Sequence, residues 1–310
     1  RFYGGPIDGD EGVEGLINAW PLDESYIDYV TGNPTTGIIN NPTDFPTIDK
    51  QVLMDANEQD GETNISTGYH AIEFLLWGQD VTLGAGGGDR VFTDYTTADN
   101  ADRRTTYLLT ASSLLLDHLQ TVLNEWTPNT SGNYRDSFEN SSNPKSRLLE
   151  VLVGVASLSK GELAGERIFV ALDEPDRENE HSCFSDNTHY SHYYNAKGIS
   201  NVYTGEYTRV DGTVMKGASI SDLVAQSESS LDQSMQKALS NTEQSMQRLV
   251  DSAEIDNVAF DQMISEGNTE GFAIISLAIK TLVAQTSLIE QVASTLGINN
   301  LNPDTADHQF

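Results

Sequence analysis

Cysteine and basic residues are scarce in this sequence, and each shortage excludes a class of function. The single cysteine, Cys183, permits no disulfide within the chain and no cysteine-rich zinc site. Lysine and arginine together number 17 against 47 acidic residues, which gives a net charge of -30. Such a charge repels nucleic acid and anionic membrane surfaces, so we expect neither as a partner. It favours the local accumulation of cations, although a solvated surface adapted to salt gives the same composition.

Long uninterrupted apolar runs are also missing. The best candidate for a membrane span, Gly271–Gly297, is interrupted by Lys280, Gln285 and Glu290, so we predict no transmembrane segment. The chain opens at "RFYGGPID" without a secretory signal, and we expect a mature or trimmed form of a longer precursor. P-loop, Gly-x-Ser-x-Gly, EF-hand and His-Glu-x-x-His motifs are absent, and the "GAGGGD" run is predicted to be a flexible turn.

Helical periodicity fills most of the sequence. Apolar residues recur at three- and four-residue steps from Phe272 to Leu296, and a similar stripe lies between Ala98 and Trp126. A third helix is predicted to begin at Asn143 as N-cap, with proline in its first turn. Alternating strand patterns are rare, and we interpret residues 200–217 as a long loop with a short hairpin.

This pattern predicts an all-α protein of two packed helical bundles joined by long irregular loops. A polar loop between two long helices supplies the boundary, so the predicted domains are residues 1–139 and 140–310. "TGIINN" near residue 36 resembles "KGISNV" near residue 197, which suggests that the two halves are a pseudo-repeat.

A histidine and a glutamate stand three residues apart in the apolar stretch "GYHAIEFLLWGQD". On a helix His70 and Glu73 share one face, where they form an ion pair, a base with its orienting partner, or two ligands of one metal. A largely buried helix is predicted from the neighbouring Ile72, Leu75, Leu76 and Trp77. Buried charges need partners or a metal. The first stretch is therefore a candidate site.

Three histidines crowd into a second stretch, "ENEHSCFSDNTHYSHYY". Glu178 and His181 repeat the three-residue spacing in reverse order, the spacing by which helical bundles direct a carboxylate and an imidazole at one metal. The alternative is a polar loop whose hydroxyl and carboxylate groups cap its own backbone. On the preceding helix, Glu162 and Glu166 are predicted to share a face beside Arg167, either as carboxylates of the site or as surface acids.

Both stretches resemble the imelysin-like family, which is grouped with peptidases and also described as iron-regulated. "GYHAIEFLLWGQD" matches its Gly-x-His-x-x-Glu signature, and "EHSCFSDNTHY" is similar to its second block. The resemblance implies an all-α, two-bundle fold with a site between its halves, export to the bacterial periplasm or outer membrane, and a link to iron or other metal acquisition. One departure is visible, because Ser191 and His192 stand where an acidic residue is expected.

The resemblance assigns site residues position by position. It implies His70, Glu73, His181 and Asp186 as metal ligands. It also implies Gly68, Ser182, Asn187 and His189 as residues that bind the ligand or support the site. Helical spacing, rather than the resemblance, adds Glu166 and Arg167 to that group.

Three functions stay open at this stage. The first is an exported protein that binds a divalent metal, iron before zinc or manganese, and serves uptake with a membrane-associated partner protein. The second is a metal-free module for a peptide or small ligand. The third is a metallopeptidase, which the sequence favours least because no motif supplies a third zinc ligand and a base.

Overall fold

The computed structural model describes residues 5–9, 12–84, 86–176 and 179–305 of the 310-residue chain. Helices account for 61% of it, and the described residues contain only two short strands. The predicted all-α class is therefore confirmed.

Two compact units divide the described residues. The N-terminal unit takes those between Gly4 and Asn140 together with His181–Asp186, and the C-terminal unit takes those of 141–180 and 187–310. Residues 181–186 thus leave their neighbours in sequence and complete the N-terminal unit. The division into domains at residues 139 and 140 stays a prediction about independent folding.

The N-terminal unit is built from short helices around one long one. Its α-helices are α1 (Glu14–Ile17), α2 (Glu24–Ile27), α3 (Lys50–Ala56), α4 (Gly68–Trp77), α5 (Ala101–Glu125) and α6 (Tyr134–Glu139). Three 3-10 turns accompany them: Ile38–Asn40, Phe92–Tyr95 and Cys183–Ser185. Apolar side chains of α4 and α5 meet in the core, where the fully buried Tyr107 donates a hydrogen bond to the carbonyl of Ser66 at 2.8 Å.

A buried charge network ties α2 to α5 within this unit. Arg104 donates to both oxygens of Asp28, from Nε at 2.6 Å and from Nη2 at 2.9 Å. Arg90 donates to Asp28 Oδ2 at 2.7 Å and to Asp94 Oδ2 at 3.2 Å, and Tyr29 donates to the latter oxygen at 2.6 Å. Two guanidinium groups and two carboxylates balance in charge, so the network is compatible with burial.

The C-terminal unit is built mainly from longer helices. Its helices are α7 (Pro144–Ser157), a π-helix (Leu158–Phe169), the short α8 (Val170–Asp173), α9 (Thr188–Thr204), α10 (Ile220–Glu254), the short α11 (Phe260–Met263) and α12 (Thr269–Thr295). Non-helical backbone at Glu228 kinks α10. The predicted hairpin is present as β1 (Glu206–Thr208) antiparallel to β2 (Val214–Lys216).

Helix α12 is long and apolar enough to cross a membrane by length and composition alone. The sequence predicts otherwise on the strength of its polar interruptions, but these leave one window that meets the criterion. The core helix of a soluble protein meets it too, and Ile275, Leu282 and Val292 of α12 are fully buried in the C-terminal unit. The buried side chains of α12 pack with residues of α10 and the π-helix in the core of the C-terminal unit, whereas 39% of the apolar window as a whole is buried.

Candidate functional site

The candidate site lies on α4, and Gly68 determines where that helix begins. Gly68 has φ +86°, a left-handed value that glycine adopts readily. A Cβ atom there would lie 2.4 Å from the carbonyl oxygen of Ile17. The glycine of the Gly-x-His-x-x-Glu signature therefore lets the start of α4 pack directly on the backbone of α1.

His70 and Glu73 meet one turn into α4, as their spacing predicts. Nδ1 of His70 lies 2.9 Å from Oε2 of Glu73. The imidazole is 4% exposed and the glutamate side chain is 12% exposed. The pair is thus a largely buried contact of two polar groups rather than a surface ion pair.

Ser185 fixes the other oxygen of the carboxylate. Its backbone N–H donates to Glu73 Oε1 at 3.1 Å and its hydroxyl donates to the same atom at 2.5 Å. A carboxylate that accepts from Ser185 twice and from His70 once suits the ionised form, which only accepts hydrogen bonds. His70 is then the donor at Nδ1, and its acceptor lone pair is on Nε2 when the ring is neutral.

His70 Nε2 is the chemically open atom of the site. It is buried, and none of the described residues forms a hydrogen bond with it. A carboxylate on Nδ1 of a histidine, with Nε2 left over, is the arrangement that orients metal-binding histidines in proteins. In this geometry Glu73 Oε2 contacts the ring of His70.

Aromatic rings surround the imidazole. The ring centroids of Trp20 and His181 each lie 4.8 Å from that of His70, and His181 meets it edge-on at 79°. Phe184 packs on Trp20 at 5.8 Å and on Phe74 at 5.3 Å. These apolar faces keep water away from the pair, which strengthens the electrostatic interactions inside.

Asp186 holds the glycine-rich run against the second block. Its Oδ2 accepts backbone N–H groups of Gly86 at 2.8 Å and Gly87 at 3.0 Å, and Gly88 donates to the Phe184 carbonyl at 2.8 Å. A Cβ atom on Gly87 would lie 2.4 Å from that carbonyl oxygen. Gly86–Gly88 are therefore packed on the Cys183–Ser185 turn, in contrast to the flexible turn that the sequence suggests.

The predicted metal ligands are only partly assembled. In the part of the chain that the structure describes, no group of three donor side chains within 4.8 Å of one another includes His70, Glu73 or His181. Asp80 and Asp186, both buried, each place a carboxylate oxygen within 4.8 Å of the other. The four-residue ligand set stays a prediction, with Asp80 as an acidic neighbour that the sequence did not indicate.

The supporting residues divide between the two units. Ser182 is buried in the N-terminal unit, whereas Asn187 is exposed and belongs to the C-terminal unit, as does His189, whose Nε2 lies 3.0 Å from Glu254 Oε1. The pairing of Glu178 with His181 cannot be described, because residues 177 and 178 lie outside the described ranges, as does His308.

The π-helix changes the arrangement predicted for Glu162, Glu166 and Arg167. Arg167 Nη2 lies 2.7 Å from Glu162 Oε1, a contact between residues five apart in sequence. The π-helical hydrogen bond also joins residues five apart, so this pairing follows from the wider turn. Glu166 is exposed, and the shared face predicted for Glu162 and Glu166 assumed α-helical geometry that this segment does not have.

Two contributors to the site were missed in the sequence. Trp20 lies in an irregular segment where no periodicity indicates burial, and Ser185 was only one of several hydroxyl residues in the second block. A histidine-glutamate pair predicted to be buried implies a donor for the second carboxylate oxygen, and that requirement is the signal that points to a residue such as Ser185.

Comparisons with known proteins place these observations in context. The family model described as imelysin, a peptidase family by name, matches residues 1–289. The chain is also similar to the crystal structure of an iron-regulated protein A precursor from Parabacteroides distasonis, with a TM-score of 0.63 and 17% sequence identity. That match covers 91% of this chain and 75% of the other, and at this identity it shows the fold alone. No curated protein matches the chain.

Proposed function

The chain belongs to the imelysin family, and from this premise we propose that it is an exported protein that binds a metal ion at His70. The proposed ion is iron, with zinc or manganese as alternatives, and the proposed role is metal uptake. Imidazole nitrogen together with carboxylate oxygen is a donor set that suits these metals.

The observation that carries the proposal is the state of the His70 ring. Its Nδ1 is held by a carboxylate, and its buried Nε2 has no hydrogen-bond partner among the described residues. A buried polar atom without a partner is costly, so a ligand at that atom would remove a penalty that the protein otherwise carries. A metal ion is the ligand whose usual support in proteins matches the Glu73 contact.

Each neighbouring residue then has a defined task. Glu73 orients the ring, and Ser185 holds Glu73 in place with two hydrogen bonds. Trp20 and Phe184 limit the access of water. His181, Asp186 and Asp80 are the nearby side chains of the same unit from which we expect further ligands.

Export and an uptake partner extend the proposal beyond the metal site. The similar structure is named a precursor, and that word describes the Parabacteroides protein. We extend export to the periplasm or outer membrane to this chain on family membership, and we propose a membrane-associated uptake protein as its partner. The net charge of -30 supports the proposed binding of a cation, because it raises the local cation concentration.

Calorimetric titration of the metal-stripped chain tests the site. Fe²⁺ under anaerobic conditions, Zn²⁺ and Mn²⁺ are titrated into the wild type, His70→Ala, Glu73→Gln and His118→Ala. We expect one ion per chain, no binding in His70→Ala, and an affinity about 10- to 100-fold lower in Glu73→Gln, the usual effect of removing an orienting carboxylate. His118→Ala is the matched control, because it removes another buried histidine of the same unit.

Absence of binding, or binding that His70→Ala leaves unchanged, contradicts the proposal. In that case the metal-free binding module is the better function, and one observation favours it already: the described residues assemble no three-donor group around His70. A zinc peptidase needs three protein ligands and an open position. Peptide hydrolysis by the metal-loaded chain, lost in His70→Ala, would support the metallopeptidase instead.

A further inference from the structure

One face of α5 carries a regular row of exposed leucines. Leu109, Leu116 and Leu123 are 64%, 67% and 59% exposed, whereas Tyr107 and Ala111 on the same helix are fully buried in the core of the N-terminal unit. Single exposed leucines are ordinary, but apolar side chains aligned on one helix face indicate an interaction surface. We call these three residues the leucine stripe.

The spacing of the stripe is that of a helix-pairing surface. Its members are seven residues apart, so they occupy one position of the heptad repeat by which helices pack along their length. Three positions before each leucine stand Thr106, Ser113 and Gln120, which carry no charge. Over residues 105–124 Asp117 is the one acidic residue, and it forms an ion pair with Lys50 of the same chain.

We propose that the stripe pairs with the stripe of a second copy of this chain, with the two α5 helices antiparallel. The stripe is symmetric about Leu116, so a two-fold axis there places Leu116 on its own counterpart and Leu109 on Leu123 of the other copy. In a chain with a net charge of -30, this nearly uncharged face is where two copies can approach without opposing their acidic residues.

The charge at one end of α5 decides between the two directions. Asp102 lies seven residues before Leu109 and therefore occupies the same heptad position as the stripe. A parallel pair would bring Asp102 against its counterpart, and like charges at such a contact oppose association. An antiparallel pair separates the two Asp102 residues by the length of the helix and also sets the helix dipoles against each other favourably.

Sedimentation equilibrium of the full chain over a range of concentrations tests the pairing. We expect a reversible dimer for the wild type and a dissociation constant at least about tenfold higher in Leu116→Glu, because each copy then buries a charge at the axis. Leu223→Glu is the control, since it places the same charge at another exposed leucine, on α10. A monomeric wild type, or a Leu116→Glu dimer of unchanged strength, would overturn the proposal.

Cysteine cross-linking tests the direction. The native Cys183 is 2% exposed, so introduced cysteines are the reactive ones. Disulfides require Cα atoms within about 7 Å. We expect Leu116→Cys to cross-link with itself, and Leu109→Cys to cross-link only when mixed with Leu123→Cys. Self-cross-linking of Leu109→Cys would show parallel helices and overturn the antiparallel assignment, and no cross-link in any variant would overturn the pairing itself.

Discussion

At the scale of single residues, the buried histidines differ in what holds their rings. His70 is oriented by Glu73, and His189 contacts Glu254. His192 is fully buried against the ring edge of Phe260, and neither of its nitrogens has a hydrogen-bond partner among the described residues. Burial, with smaller contributions from Arg167 and His189, lowers the pKa of His192 to about 3.

The low pKa of His192 gives a pH dependence with a definite sign. The folded chain keeps this ring neutral, whereas the unfolded chain takes up the proton below the ordinary histidine pKa of about 6.5. Its contribution is therefore constant above about pH 6.5, and stability falls by roughly 1 kcal/mol per pH unit from there towards pH 3. We expect His192→Leu to remove this part of the decline, as measured by urea unfolding at several pH values.

The comparison with pH 8 serves as the internal control. At pH 8 the free energy of unfolding of His192→Leu should lie within about 1.5 kcal/mol of the wild-type value, because the substitution roughly conserves volume. If the two unfolding free energies fall in parallel between pH 7 and pH 5, the ring does not titrate as the structure indicates.

Sequence reasoning identified the two partners of the site but not their roles. The spacing of His70 and Glu73 predicts their contact, because the helix itself brings them together. It does not reveal that Glu73 is occupied by Ser185, which is 112 residues away. Such long-range partners depend on tertiary packing, which a single sequence does not display.

At the scale of elements, the Asp28 network explains how short helices form a stable unit. Burial acts to raise the pKa of Asp28, but the Arg104 hydrogen bond and the charges of Arg90 and Arg104 outweigh it, so the pKa lies below its ordinary value. The network joins α2, the segment before the Phe92–Tyr95 turn, and α5. Its loss would therefore disconnect several elements at once.

We expect Asp28→Asn to destabilise the N-terminal unit by about 3–5 kcal/mol, because it removes the carboxylate paired with the buried Arg104 and leaves the buried Arg90 with Asp94 alone. A depressed carboxyl pKa adds stability above the unfolded value and loses it as the pH falls through the folded value, so the wild type loses this contribution only below about pH 4. Thermal unfolding and acid titration followed by circular dichroism measure both effects. Asp117→Asn, which breaks the exposed pair with Lys50, should cost less than about 1 kcal/mol.

The π-helix shows why element boundaries are harder to predict than element types. Apolar periodicity indicated a continuous helix through residues 158–169, and the segment is helical. The change from α to π geometry rotates each side chain around the helix axis. Residues that α-helical spacing assigns to one face therefore no longer share it. The Glu162–Arg167 contact can be predicted from the sequence only if π-helical geometry is assumed for this segment.

At the scale of the whole molecule, acidic charge dominates. With a net charge of -30, the folded chain repels itself, and salt screens that repulsion. We expect the melting temperature to rise as NaCl shortens the Debye length from about 30 Å to about 3 Å. The same scan near the isoelectric point of about 4.2 should show a weaker rise. A melting temperature that does not change with salt at neutral pH would mean that nearby basic groups already neutralise the acidic residues.

The excursion of residues 181–186 has a consequence for synthesis. The N-terminal unit needs Ser185 for Glu73 and Asp186 for Gly86 and Gly87, yet these residues are made more than forty positions after Asn140. Because a chain emerges N-terminus first, the Glu73 carboxylate and the glycine run lack these partners until residues 181–186 have followed. Residues 181–186 are therefore the last part of the N-terminal unit to be made. A chaperone that binds the incomplete N-terminal unit would have the most time to do so before these residues follow.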